Sequence, residues 1–362
     1  TPQSYDLTAP DWVTGPRSLA AVALTRRNVA DGTQESNPAR IYTFAVPLQP
    51  GAEVTSVTLP DVGDTARGFP ALHVFGMAVR DTTTAPGGRT WTGAWSGPFD
   101  NTYYQDSNDP HTPWGDQTFR NVITPSVSGS TARIKLSNAR GDVPLAISHA
   151  TVATRSTGAA PTAAPVDLTF GGQREVTIPT GAEVFSDPVD VPVTAGQRLL
   201  VSLHLTGSAD AVGRHTWSTD GYSYTTAPGT GDLTAAVDPA AFTAEGSTSG
   251  YWTSLVTGLQ VVTDGLPTVA VLGEGLVDTA TSTATPTWGF ANPRVADLLA
   301  GQGSYGVVKA GNRRNRIGYD GYFSGADAAL DREVLSQPGI GTVVLTGGLQ
   351  DLLDGTSATE LQ

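Results

Sequence analysis

The chain has 362 residues, 39% hydrophobic and 15% charged, with 42 Gly, 25 Pro and no Cys. That length exceeds one ordinary core, and the mixture reads as folded and turn-rich, so two or three domains are expected rather than a helical bundle or a disordered tail. A net charge of −13 argues against a nucleic-acid partner, the lack of Cys excludes disulfides and thiolate metal sites, and no apolar run is long enough to span a bilayer.

The first stretch, residues 1–88, carries short β-type runs between turn signals. Arg40–Val46 and Val54–Leu59 alternate apolar and polar residues, and Ala71–Val79 is a longer apolar run. Close spacing of such runs is the pattern of an antiparallel sandwich. His73, inside the apolar run, reads as a hydrogen-bonded core histidine. Asp81–Gly88 is polar, then Pro-Gly rich, and serves as a linker.

Residues 89–265 are again β-rich. Ala132–Leu136 precedes the turn Ser137–Asp142, and Glu175–Ile178, Leu199–Leu205 and Ser254–Val262 supply further strands. Near its start, Trp91, Trp95, Tyr103, Tyr104 and Trp114 cluster in a short stretch. Such rings stack on sugar faces when exposed and fill a core when buried. The loop Asp100–Asp116 is rich in Asp and Asn. Its hard oxygens, Asp100, Asp106 and Asp109 among them, could hold Ca²⁺, contact a glycan, or form a plain surface loop. It lacks the Gly and terminal Glu of an EF-hand. His149, His204 and His215 have no metal-ligand spacing.

From residue 266 the grammar changes. Thr268–Leu272 is a continuous apolar run ending at Gly273, as a buried parallel strand would. Asn292–Gly301 has an N-cap candidate, Pro at the first helical position and Gly after the end. Tyr305–Val308, Ala326–Leu335 and Thr342–Leu345 continue a strand, helix, strand order, which predicts the start of a doubly wound α/β layer. The fold class expected for the whole chain is therefore mostly β plus α/β, with two jelly-roll-like β-sandwich modules followed by a partial doubly wound parallel sheet over 266–362.

Three blocks carry a family resemblance. Val269–Thr279 (VAVLGEGLVDT) resembles the strand and Gly-Asp-Ser segment of SGNH (GDSL) acylhydrolases. Lys309–Ile317 (KAGNRRNRI) resembles their second block, and Thr342–Leu353 (TVVLTGGLQDLL) the third. Asp116–Arg155 also looks like the sandwich that precedes the catalytic domain in many actinobacterial members, and the scarcity of Lys, only Lys135 and Lys309, fits a GC-rich genome. The resemblance implies a secreted, multi-domain lipase or esterase with a Ser-His-Asp triad and an oxyanion hole.

The residues at the family's functional positions do not fit that chemistry. The nucleophile position is Gly275, the preceding Asp is Glu274, the oxyanion glycine is Arg314 and the oxyanion asparagine is Gln350. No His follows His215. The leading expectation is a catalytically inactive, secreted binding or scaffold protein with a glycan or protein ligand and no required cofactor. The alternatives are a trimmed or imperfectly read form of an active SGNH serine esterase or lipase, hydrolysing acyl esters of lipids or polysaccharides, and an enzyme using unfamiliar residues. Because only three parallel strands are signalled, the layer is expected to be covered by the preceding sandwich, a second copy of the chain or another polypeptide, with a partner chain or a lost C-terminal segment favoured.

Overall fold

The computed structural model describes residues 84–99, 101–104, 114–141, 143–209, 211–218, 223–247, 250–273, 304–310, 330–353 and 355–357. Before residue 84 it describes short pieces, chiefly 3–5, 9–15, 20–23, 27–28, 33–35, 39–42, 54–59 and 72–74. The first strands are β1 (Ala20–Ala23), β2 (Arg27–Asn28), β3 (Gln34–Glu35) and β4 (Arg40–Tyr42). Then come β5 (Thr90–Ser96), β6 (Asn101–Tyr104), β7 (Trp114–Ile123), β8 (Gly129–Ser137), β9 (Leu145–Thr157) and β10 (Ala160–Pro161). Short strands follow: β11 (Val166–Leu168), β12 (Val176–Ile178), β13 (Glu183–Phe185) and β14 (Val189–Val193). The long β15 (Leu199–Ala209) leads to β16 (Ala211–Ser218), β17 (Ser223–Thr225), β18 (Thr243–Ser247), β19 (Gly250–Ser254) and β20 (Val256–Thr263). The last are β21 (Thr268–Gly273), β22 (Gly306–Ala310) and β23 (Ile340–Thr346).

Two antiparallel sheets make a sandwich. One runs β10-β9-β15-β7-β17-β18-β19-β16-β6, with β11 and β12 also on β9; the other runs β13-β8-β20-β5, with β14 also on β8. Period-two alternation decides which side chains meet between them. On β15, Leu199, Val201, Leu203 and Leu205 face the core, and on β8 so do Ala132, Ile134 and Leu136. Phe119 and Ile123 of β7 and Leu259 and Val261 of β20 complete it, all essentially free of solvent.

β21, β22 and β23 form a separate parallel trio with β21 central. Ala270, Leu272, Val308, Ala310 and Val334 give it a small core of its own. It docks on β5 through contacts that only small or hydroxylated residues allow. A Cβ on Gly93 would lie 2.7 Å from Val308 Cγ1 and 3.0 Å from Thr268 Cγ2, so glycine is what admits the approach. The outer edge of β22 is met by two serines. Ser126 Oγ accepts from Val307 N at 2.8 Å and donates to Ala94 O at 2.7 Å, which ties β22 to β5. Ser96 Oγ accepts from Lys309 N at 2.6 Å and donates to Lys309 O at 2.7 Å. Each hydroxyl does the work of a neighbouring strand's backbone, which covers an otherwise open edge.

The expectation of a doubly wound α/β layer is overturned. The chain is mainly antiparallel β, and the described helical pieces after residue 300 are a wide π-type turn at Leu330–Leu335 and one short helix at Leu349–Leu353. A doubly wound sheet needs helices on both faces. Here the sandwich occupies one flank of the trio, and Val334 of the wide turn fills the gap behind it. The helix expected over 292–301 lies outside the described residues.

Near the N-terminus, β4 covers Arg40–Tyr42 of the run expected over 40–46, and it pairs antiparallel with β1. The strands expected over 54–59 and 71–79 do not form at the described positions. Residues 72–74 carry no regular structure and His73 is exposed, so it is not a core histidine. Leu72 and Val74 beside it are exposed as well, which removes the apolar surroundings that reading required.

Candidate functional site

The three tryptophans singled out from the sequence belong to the core. Trp91, Trp95 and Trp114 are 2%, 4% and 3% exposed, so their rings present no stacking face to a sugar. Trp114 packs on Phe119 at 5.3 Å between ring centroids, and the Arg214 guanidinium lies 4.9 Å from its ring. Trp91 is covered by Arg133 at 4.4 Å. A large ring with a cation against its face is an economical filler for a sheet with polar residues nearby. Tyr103 and Tyr104 are in β6, paired with Val212 and Ala211, and their side chains lie outside the described set. Asp100, Asp106 and Asp109 also lie outside the described residues. Among the described residues no group of three His, Asp or Glu side chains is placed to hold a metal ion.

Of the family positions, Glu274, Gly275 and Arg314 lie outside the described residues, as does the side chain of Gln350, whose backbone is in the short helix Leu349–Leu353. The strands that lead to them can be placed. Leu272 pairs with Ala310 and Gly273 with Thr346, so all three strands end at one level. A Cβ on Gly273 would strike the backbone and hydroxyl of Thr346, so the chain can leave β21 only as glycine.

A second polar constellation, absent from the sequence reading, sits on the outer face of the large sheet. The register puts Thr118, His204 and His149 in one row across β7, β15 and β9, and Arg120, Ser202 and Thr151 in the next. The β9–β15 register shifts after His204, whose partner is His149, while Leu205 pairs with Ile147. Ser148 is the extra residue of this bulge, and bulges re-aim side chains. Its Oγ lies 2.7 Å from His204 Nδ1, and His204 Nε2 lies 3.3 Å from Asp116 Oδ1. Asp116 itself has φ 45°, a left-handed conformation that Asp tolerates better than most residues.

His149 is more heavily engaged. Its Nδ1 is 2.7 Å from Asp232 Oδ2 and 2.6 Å from Thr234 Oγ1, and its Nε2 is 2.9 Å from Asp167 Oδ1. Arg174 Nη2 reaches Nε2 at 2.6 Å and Nδ1 at 3.2 Å, and Arg174 Nε is 3.3 Å from Asp167 Oδ2. Burial raises the Asp232 carboxyl, but hydrogen bonds from Thr234 and the partnership with His149 outweigh it and hold the group below the ordinary carboxylate range.

Loop 226–242 lies over this face and is fastened from beneath. Arg120 donates to the carbonyls of Leu233, Thr234 and Ala236 at 3.0, 3.2 and 3.0 Å, to Ala159 O at 2.8 Å and to Ser202 Oγ at 2.9 Å. Phe242 covers the guanidinium at 3.9 Å. Burial pushes the Arg120 pKa down to about 10, so the group remains cationic at neutral pH. Its five N–H groups suit several carbonyls at once, which a lysine could not match.

The sequence offers one faint signal for this site. Core positions on β9 are Leu145 and Ile147 before the bulge and Ala150 and Val152 after it, so the alternation changes phase across Ser148–His149. Nothing local announces the partners, since Asp232 is 83 residues from His149 and Asp116 is 88 from His204.

No protein-family model and no curated protein matches the chain. Among solved structures it shares 11% identity with a family two carbohydrate esterase from Cellvibrio japonicus, over 71% of this chain and 70% of that one, with a TM-score of 0.19. It also shares 11% identity with a family two carbohydrate esterase from Clostridium thermocellum in complex with cellohexaose, over 71% of this chain and 68% of that one, with a TM-score of 0.18. The likeness is distant, and the chemistry of the site rests on its own residues.

Proposed function

We propose that this chain is a secreted SGNH-hydrolase-like protein that has lost ester chemistry at the family's site and serves as a binding or scaffold protein. One observation carries the reading. The strands bearing the three blocks run parallel and end together at Gly273, Ala310 and Thr346, yet Gly275, just past the central exit, has no nucleophile to offer. A serine hydrolase without its nucleophile keeps only the residual catalysis of its oxyanion hole and binding, about 10³–10⁴ over water. Arg314 and Gln350 replace two of that hole's donors as well. The ligand class proposed is a glycan or protein, now without Trp91, Trp95 and Trp114 as its stacking rings.

A second reading is favoured by the Ser148–His204–Asp116 contacts, which place a hydroxyl, an imidazole and a carboxylate in the order a relocated nucleophile would need. Against it, Nδ1 rather than Nε2 faces the serine, and the Asp116 side chain is 59% exposed and therefore hydrated. Treatment with a fluorophosphonate probe, followed by peptide mapping, separates the two. The binding reading expects no labelled serine and no turnover of short acyl esters. A label on Ser148 would replace it with the second reading.

A further inference from the structure

We propose that Asp264–Gly265 is a modification site, where the chain converts spontaneously to isoaspartate and loosens the join between sandwich and trio. This goes beyond the proposed function and does not depend on it. The pair is the exposed tip of the connection from β20, which ends at Thr263, to β21, which starts at Thr268. Its glycine is dictated by the backbone. Gly265 has φ 85°, in the left-handed region that residues with a Cβ rarely adopt.

A residue without Cβ leaves its amide nitrogen open to the carboxyl carbon of the residue before it. Gly265 N attacks Cγ of Asp264 in its acid form. An N–C bond forms, the amide proton and the carboxyl hydroxyl leave together as water, and a succinimide ring closes. Water then adds to one of the two imide carbonyls. Addition at Cγ restores Asp264, whereas addition at the main-chain carbonyl leaves Gly265 joined through Cγ as isoaspartate. Water is the only co-reactant. Nothing in the fold holds the pair back: both residues are exposed, and among the described residues neither the Asp264 carboxylate nor the Gly265 N–H has a hydrogen-bond partner.

The residues on either side are clamped to β5. Thr92 Oγ1 donates to Leu266 O at 2.8 Å and accepts from Thr263 Oγ1 at 2.7 Å, and Thr263 Oγ1 accepts from Leu266 N at 3.2 Å. This closed ring of hydrogen bonds fits a connection of ordinary length. Isoaspartate inserts one more carbon into the main chain between Thr263 and Leu266 and turns a carboxylate out from the former carbonyl. Both ends of the connection are fixed, so the added carbon is accommodated by opening the ring of hydrogen bonds. β21 then loses its entry contact with β5, beside the bond from Gly93 N to Thr268 Oγ1 at 2.9 Å.

Ageing of the full chain in warm, mildly acidic buffer tests this, beside Asp264→Glu, whose longer side chain closes an imide ring far more slowly. Isoaspartyl methyltransferase with a labelled methyl donor, followed by peptide mapping, should mark residue 264 in the aged parent, and the label should be lost in the variant. The same parent peptide should pass through a form one water lighter. Hydrogen exchange in β21 and β22 should rise in the aged parent while β7 and β15 keep their protection, and the aged variant should show no such rise. An aged chain with no label at 264, or one labelled there only after unfolding in urea, would overturn the site. A labelled chain whose β21 keeps its protection would overturn the loosening.

Discussion

Ser148 owes its contact with His204 to a one-residue bulge: His204 pairs with His149, Leu205 pairs with Ile147, and Ser148 is the residue left over. In an unbulged strand Ser148 would point to the face opposite His149. With the bulge, Ser148, His149 and His204 share the outer face, beneath loop 226–242, and the apolar residues of β9 regain the core on the far side.

The proposed SGNH-like site should stay silent under simple repair. Gly275→Ser supplies a hydroxyl, but Arg314 and Gln350 still stand where the proposed resemblance puts the oxyanion donors. Hydrolysis of short p-nitrophenyl esters by this variant should equal that of the parent chain. Restored turnover would mean that the oxyanion donors come from elsewhere.

Arg120 should be among the costliest residues to remove. Arg120→Ala removes the side-chain donor of the Leu233, Ala236 and Ala159 carbonyls, while Thr234 O keeps Thr151 Oγ1. Buried groups stripped of partners cost about 1–3 kcal/mol each, so a loss of about 3 kcal/mol or more is expected in urea denaturation. Proteolysis should cut first within loop 226–242. An unchanged cleavage pattern would show that the loop holds itself.

The two serines against β22 should matter in proportion to the backbone groups they serve. Ser96→Ala and Ser126→Ala each strand a buried N–H, at Lys309 and Val307, and each should cost about 1–3 kcal/mol. Gly93→Ala should loosen the same junction by overpacking against Val308 and Thr268, again by about 1–3 kcal/mol. Hydrogen exchange in β21 and β22 should rise in all three variants while β7 and β15 keep their protection. Uniform protection everywhere would mean the trio does not depend on this docking.

Acid should weaken the outer loops through Asp187 and Asp232. N–H donors from Gly172, then the Thr169 hydroxyl, then Gly171 hold the Asp187 carboxyl below its usual range against a small opposing effect of burial. Asp232 is also depressed. A depressed folded-state pKa gives a contribution that is full above the unfolded value, near 3.8, and is lost as pH falls through the folded one. Thermal melts of the parent chain should therefore fall steeply below about pH 4, and Asp187→Asn should flatten that fall. Equal slopes in parent and variant would remove Asp187 from the account.

Local pattern made β8, β12, β15, β20 and the parallel trio legible, though not most of the other strands. Leu199–Leu205 alternates and becomes β15; Thr268–Leu272 is apolar throughout and becomes the central parallel strand, because a strand's environment is written in the period of its own side chains. The same pattern could not say whether Trp91, Trp95 and Trp114 face a sugar or a core, since burial depends on a second sheet that is distant in sequence. It also could not reveal that Ser96 and Ser126 of the sandwich meet the edge of β22. The His149 cluster was the least legible of all. Its members come from β9, β11, the following turn and loop 226–242, and only the packing of two sheets and one loop brings two carboxylates and a guanidinium to a single imidazole.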